Sequence, residues 1–169
     1  TKYDGLGRQV ETFSSERGTE KYNYNSNGEL VSWVHLGTDN SIVGSLTIQY
    51  NDKLGRTTRE QYSDGRTIDY GYDDANYSNT EGKPSSITIN DNGKNVITRK
   101  FAYHPTTELK AQEVTIGGKK YTLVYQYTAQ GQSKQMSYPS GRTVTYDYDN
   151  YGHLAKIKSN GKTLASYSD

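Results

Sequence analysis

Two stretches of the chain place oxygen-bearing side chains at alternate positions ahead of a glycine, the arrangement that opens a calcium-binding loop. They are Asn23-Tyr24-Asn25-Ser26-Asn27-Gly28 and Asp147-Tyr148-Asp149-Asn150-Tyr151-Gly152. A loop of that kind closes on a bidentate glutamate at its twelfth position, where these have Val34 and Lys158. Asn and Asp side chains that cap tight turns explain both stretches without a metal, so no metal and no other cofactor is expected. His35, His104 and His153 lie far apart, with no pair at ligand spacing, and surface or turn positions suit them. No serine sits in a nucleophile elbow. Gly5-Leu6-Gly7 lacks the third glycine of a dinucleotide loop, Val10 standing in its place, and reads as a turn. With no cleft-forming constellation, the chain is expected not to be an enzyme.

Two further features bear on binding. Asn76-Tyr77-Ser78 is a sequon for N-linked glycan, which matters in a eukaryotic secreted protein. The tyrosines, if exposed and contiguous, would stack on sugar rings or bases, but their alternate placement is also what a buried strand face requires.

The elements that position these residues are constrained by composition. Only 31% of the 169 residues are hydrophobic, and 17 of those are Tyr, against two Phe, one Trp and one Met. Phenol rings bury best where the ring packs and the hydroxyl reaches water or a partner, which suits a thin sheet better than a thick globule. The net charge of +1 comes from 20 basic and 19 acidic residues scattered along the chain, so no basic tract exists to follow a phosphate backbone, and nucleic acid is not expected as a partner. No apolar run approaches the roughly 18 residues of a membrane helix. With zero cysteine, disulfides and thiolate sites are excluded and the compartment stays open.

A repeat runs through residues 1–169. Its echo is an aromatic or aliphatic residue, a polar residue, Tyr, then usually Asp or Asn, with anchor tyrosines Tyr3, Tyr24, Tyr50, Tyr72, Tyr103, Tyr127 and Tyr148 and the start of one more at Tyr167. Successive anchors lie 19 to 31 residues apart. A glycine follows four or five residues after most anchors (Gly7, Gly28, Gly55, Gly131, Gly152), and Leu30, Leu109 and Leu154 follow at plus six. A second turn closes each unit, at Arg17-Gly18, Asp39-Asn40, Asp64-Gly65, Asn92-Gly93, Gly117-Gly118, Ser140-Gly141 and Asn160-Gly161. Such pairs suit the positive φ of tight hairpins. Each unit is therefore two strands and two turns. Val144, Tyr146 and Tyr148 share one face and Thr143, Thr145 and Asp147 the other, which predicts one buried and one wet face. The segment from Thr106 to Val114 has helix-forming composition, but Leu109 holds the register of Leu154, so a strand is expected there. The fold class is all-β: tandem antiparallel hairpins in one continuous sheet, a single array of about seven units with no internal boundary.

Tyr3-Asp4-Gly5-Leu6-Gly7-Arg8, Tyr50-Asn51-Asp52-Lys53-Leu54-Gly55-Arg56, Tyr62-Ser63-Asp64-Gly65-Arg66 running on to Tyr70-Gly71-Tyr72-Asp73, and Tyr138-Pro139-Ser140-Gly141-Arg142 running on to Tyr146-Asp147-Tyr148-Asp149 resemble the YD repeats of Rhs proteins. That family includes bacterial polymorphic toxins, wall-associated proteins, insecticidal toxin complexes and animal teneurins. The resemblance covers essentially the whole chain and implies a curved sheet, a segment of a spiral shell enclosing a C-terminal toxin polypeptide, in a secreted or cell-wall-associated bacterial protein. Its partners would be neighbouring repeats and the enclosed domain of the same polypeptide. The alternative is a carbohydrate or cell-surface binding module using exposed tyrosines. The unit from Tyr72 to Tyr103 departs from the pattern and inserts Asn76-Tyr77-Ser78-Asn79, where looser loops are expected, and with bacterial-looking repeats the sequon is expected to be unmodified. The anchors are expected to stack in register. The end strands, Tyr3 to Phe13 and Leu164 to Tyr167, are expected to leave edges that invite self-association, in a chain excised from a longer one.

Overall fold

The computed structural model describes residues 1–50 and 54–167. Asn51, Asp52 and Lys53, read above as part of the repeat motif that begins at Tyr50, and Ser168 and Asp169, which follow Tyr167, lie outside the described residues.

Alternating residues separated by tight turns yield strands: β1 Lys2–Tyr3, β2 Gln9–Ser14, β3 Gly18–Tyr24, β4 Leu30–Leu36, β5 Ile42–Tyr50, β6 Thr57–Tyr62, β7 Arg66–Tyr72, β8 Pro84–Asp91, β9 Lys94–Tyr103, β10 Leu109–Ile116, β11 Lys119–Tyr127, β12 Ser133–Ser137, β13 Thr143–Tyr148, β14 Leu154–Ser159 and β15 Lys162–Ser166. They form one antiparallel sheet whose order is the order of the sequence. No helix occurs among the described residues. The segment with helix-forming composition is β10, its first residue Leu109 paired with Tyr103. All seven anchors are the last residue of their strand, on β1, β3, β5, β7, β9, β11 and β13.

The chain divides into two compact units, Thr1–Tyr70 with Thr88–Val96, and Gly71–Ile87 with Ile97–Asp169. In the first, Tyr22, Trp33, Leu46 and Tyr62 pair successively across β3, β4, β5 and β6, so one face carries a continuous aromatic and aliphatic row. Lys21, Val34 and Ser45 pair across the opposite face. In the second unit Tyr125, Met136 and Val144 form the corresponding row across β11, β12 and β13, and Tyr146, Ile157 and Ala165 another across β13, β14 and β15. Gln135, Thr145 and Lys158 pair on the reverse. This is the period-two division that the sequence implies.

The faces are less deeply covered than that division suggests. Among the described residues Val144, 5% exposed, is the one fully buried hydrophobic side chain, with the polar Thr80 and Ser85 also buried, while most of the aromatic row is half-buried. Within each unit the described strands contact their neighbours in the sheet, so burial comes from cross-strand neighbours. Val144→Ala is therefore expected to cost about 2 kcal/mol, while Val124→Ala, at a 37% exposed position on β11, stays within about 0.5 kcal/mol. Urea denaturation of the two variants measures the difference.

Candidate functional site: the tyrosine-anchored turn ladder

The chemistry of this chain gathers where each anchor strand ends. After Tyr24 the backbone N–H of Gly28 donates to Asn25 O (3.1 Å) and that of Asn25 to Glu29 O (2.9 Å). The same two bonds close the turns Asp4 to Arg8, His104 to Glu108, Thr128 to Gln132 and Asp149 to His153. The pairing register slips by one residue at Tyr3, Tyr24, Tyr50, Tyr127 and Tyr148. A short turn followed by a left-handed residue in a bulge produces that geometry.

The residue after the anchor caps its own turn. Asn25 Oδ1 accepts the N–H groups of Asn27 and Glu29 (both 3.0 Å), Asp4 Oδ1 those of Leu6 and Arg8 (both 2.9 Å), and Asp149 Oδ1 those of Tyr151 and His153 (both 2.8 Å). Of the oxygen side chains that imitate a calcium loop, Asn25 and Asp149 thus act as Asx caps, while Asn23 donates to Ser32 Oγ and Asp147 pairs with Lys158. The Arg8 N–H holds the Asp4 carboxyl below the ordinary aspartate range, and the His153 N–H does the same for Asp149.

The turn glycines read from the sequence, Gly7, Gly28, Gly55, Gly65, Gly93, Gly131, Gly141, Gly152 and Gly161, all take φ between 67° and 88°. In the Tyr103 turn the equivalent residue is Thr107, at φ 87°. A β-branched side chain is strained in that region. Asn92-Gly93, Gly117-Gly118 and Asn160-Gly161 have positive φ at both central residues, the form that matches hairpin twist.

The anchors do not pair directly with one another, as stacking in register would require. Five of them instead bond to the strand before their own. The hydroxyl of Tyr24 donates to Gln9 O (3.0 Å), Tyr50 to Leu30 O (3.0 Å), Tyr103 to Pro84 O (2.9 Å), Tyr127 to Leu109 O (3.0 Å) and Tyr148 to Ser133 O (2.8 Å). Every acceptor is the first residue of the preceding strand. Several are also the register partner of the preceding anchor: Gln9 of Tyr3, Leu30 of Tyr24, Leu109 of Tyr103 and Ser133 of Tyr127. Each hydroxyl therefore fastens its repeat to the exit of the turn before it. Burial pushes the Tyr103 and Tyr127 phenols above their ordinary value. Tyr72 is half-buried at the end of β7, and Tyr3 is exposed on β1.

A second link between repeats comes from the long polar side chain that stands five residues after most anchors. Arg8 covers Gly28 and sets its guanidinium 4.7 Å from the Tyr24 ring centroid. Glu29 reaches Gly55, where an added Cβ would sit 2.6 Å from Oε1. Glu108 approaches Gly131, and Gln132 Nε2 donates to Gly152 O (2.8 Å). The regularity that betrays it in the sequence is a long polar side chain at this place, with His153 as the fifth example. In the Tyr-x-x-Gly-Arg turns the arginine folds back over its own tyrosine, Arg66 over Tyr62 and Arg142 over Tyr138.

The insertion after Tyr72 is more tightly bonded than the expected loose loop. Thr80 is buried and its hydroxyl donates to Asp74 O, Gly82 N–H donates to Asp73 Oδ1, and Asn79 Nδ2 donates to Tyr103 O. The three histidines are separated: His35 Nε2 lies 2.7 Å from Arg17 O, His104 packs edge-on to Tyr127, and His153 lies beside Asp149. In the second unit a shallow groove of about 840 Å³ runs between the turns 128–132 and 149–152, lined by Gln130, Gln135, Thr145, Asp147, Asn150 and the 85% exposed Tyr151.

The fold has clear counterparts. The chain is similar to a segment of the crystal structure of TcdB2-TccC3-Cdc42, with 16% identity and a TM-score of 0.78, over 99% of this chain and 9% of that one. It is similar, over 97% of this chain and 9% of the other, to the Photorhabdus luminescens Tc holotoxin pore carrying a TccC3 mutation (16% identity, TM-score 0.76). A TcdB2-TccC3-TEV structure matches at 12% identity and a TM-score of 0.56, over 97% of this chain and 11% of that one. The chain thus spans about a tenth of the length of the proteins whose fold it shares. No family model and no curated protein matches it. The repeat pattern and the observed fold agree along the chain.

Thr107→Gly should relieve the strained turn and stabilise the protein by about 1 kcal/mol, the left-handed penalty outweighing glycine's extra chain entropy. Thermal or urea unfolding measures it. Asp4 and Asp149 have folded pKa values below their unfolded ones, so their contribution is present above the unfolded value, about 3.9, and is lost as pH falls through the lowered folded values. Asp149→Asn should keep the cap, as Asn25 does, and remove this residue's share of the acid sensitivity. Stability followed between about pH 5 and pH 2 in parent and variant checks it.

Proposed function

We propose that this chain is a structural segment of a secreted bacterial Rhs/YD-repeat protein, a stretch of wall that encloses a C-terminal toxin polypeptide and carries no catalysis of its own. The observation behind this reading is the ladder. Five anchor hydroxyls bond to the backbone of the strand before them, so a side chain that recurs with the repeat is used to extend the sheet. The fold match to Tc-toxin structures over nearly the whole chain supports it. The partners in this reading are adjoining repeats and the enclosed domain of the same polypeptide. In an isolated segment the edges at β1 and β15, with Tyr3, Leu164 and Tyr167 exposed, pair with another copy.

The test uses the full polypeptide that bears this segment. Replacing Tyr127 and Tyr148 together with Ala should open the wall and expose an otherwise protease-resistant polypeptide, while Tyr151→Ala should leave it protected. Equal protection in all three proteins contradicts the enclosure.

A second reading rests on Tyr151. Five of the anchors are half-buried with bonded hydroxyls, but Tyr151 is exposed, its ring beside that of His153 at the rim of the groove, where a sugar ring could stack and meet Gln130, Asn150 and Asp147. Titration of the isotope-labelled chain with oligosaccharides should shift the amides of 128–132 and 149–152 together. Their indifference excludes this use of the groove.

A further inference from the structure

The insertion after Tyr72 contributes no strand and lengthens its repeat, yet it is firmly built, and what it presents outward is specific. Thr80 is 1% exposed and bonded to Asp74 O, so the loop is pinned from beneath. Lys100 lies 5.3 Å from the Tyr77 ring centroid and holds that side chain half-buried. Between these fixed points Asn76 and Ser78 are exposed. They are the first and third residues of the chain's one Asn-x-Ser/Thr sequence, which reads Asp74-Ala75-Asn76-Tyr77-Ser78 with its leading carboxylate. Asp74 Oδ1 accepts both the backbone N–H of Asn76 (2.9 Å) and its amide Nδ2–H (2.7 Å), which leaves Oδ2 for an incoming basic group.

We infer that Asn76 is an acceptor site for an N-linked oligosaccharide, transferred by an enzyme of the bacterial type that reads the carboxylate two residues ahead as well as the hydroxyl two residues behind. The co-reactant is an oligosaccharide carried on a lipid pyrophosphate. Asn76 Nδ2 forms a bond to the anomeric carbon of the reducing-end sugar, and the bond from that carbon to the pyrophosphate oxygen breaks. One amide proton goes to a base, and the lipid pyrophosphate departs. The site suits a bulky addition because residues 73–83 take part in no strand. The sequence pattern alone pointed to an unmodified asparagine; exposure and the position of Asp74 reverse that expectation.

The intact folded chain is incubated with a purified bacterial oligosaccharyltransferase and its lipid-pyrophosphate-linked oligosaccharide, and whole-protein mass is recorded. One glycan mass should be added, it should be absent in Asn76→Gln, at least tenfold slower in Asp74→Ala, and retained in Asp74→Glu. Circular dichroism confirms that each variant is folded. No addition to the folded chain under conditions that fully modify a flexible control peptide overturns the inference. So does addition only after heat unfolding, addition that persists in Asn76→Gln, or an unchanged rate in Asp74→Ala.

Discussion

A single β-layer has no interior, so whatever holds its strands must act sideways, and in this chain that work falls to the phenol of the anchor tyrosine. The hydroxyl reaches the carbonyl at the exit of the previous turn, at 2.8 to 3.0 Å in Tyr24, Tyr50, Tyr103, Tyr127 and Tyr148. A phenylalanine would supply similar apolar area but leave that carbonyl to water. Each bond is worth about 1 kcal/mol net. Repeated from unit to unit, such bonds give a nearest-neighbour coupling of the kind that governs stacked repeats.

The rest of the signature follows from ending a strand at that tyrosine. The chain must reverse at once, and the following Asp or Asn accepts two N–H groups of the turn that reversal creates. Either side chain can do this, which is why Asn25 and Asp149 stand at equivalent places. At Gly131 and Gly152 the backbone is left-handed, and a side chain from the preceding turn lies close by, Glu108 in one case and Gln132 in the other. Glycine there answers both to φ and to the neighbouring repeat.

Strand periodicity was readable because it is local: Val144, Tyr146 and Tyr148 sort onto one face by spacing alone, and Asn92-Gly93 or Asn160-Gly161 announces a hairpin by chemistry alone. The destination of each anchor hydroxyl was not, because donor and acceptor lie 15 to 20 residues apart. Alternation specifies a face, and it says nothing of which atom a ring tip meets. The anchors sit on every second strand, so each pairs with a residue of the intervening strand and not with another anchor. The insertion after Tyr72 looked loose because its polar residues suggest solvent; in the fold Asp73, Asn79 and Thr80 bond to backbone instead. Composition foretold a thin sheet, but the shallow cover of its apolar face becomes visible only in the register of the strands.

Beyond the ring's packing, the tyrosine hydroxyl fastens one repeat to the next. The most direct measurement compares the unfolding free energies of Tyr127→Phe, Tyr148→Phe and Tyr151→Phe. Tyr127 and Tyr148 donate to backbone carbonyls, and Tyr151 is 85% exposed. A loss of about 1 kcal/mol is expected in each of the first two and none measurable in the third. Equal effects in all three, or no effect in any, would contradict it.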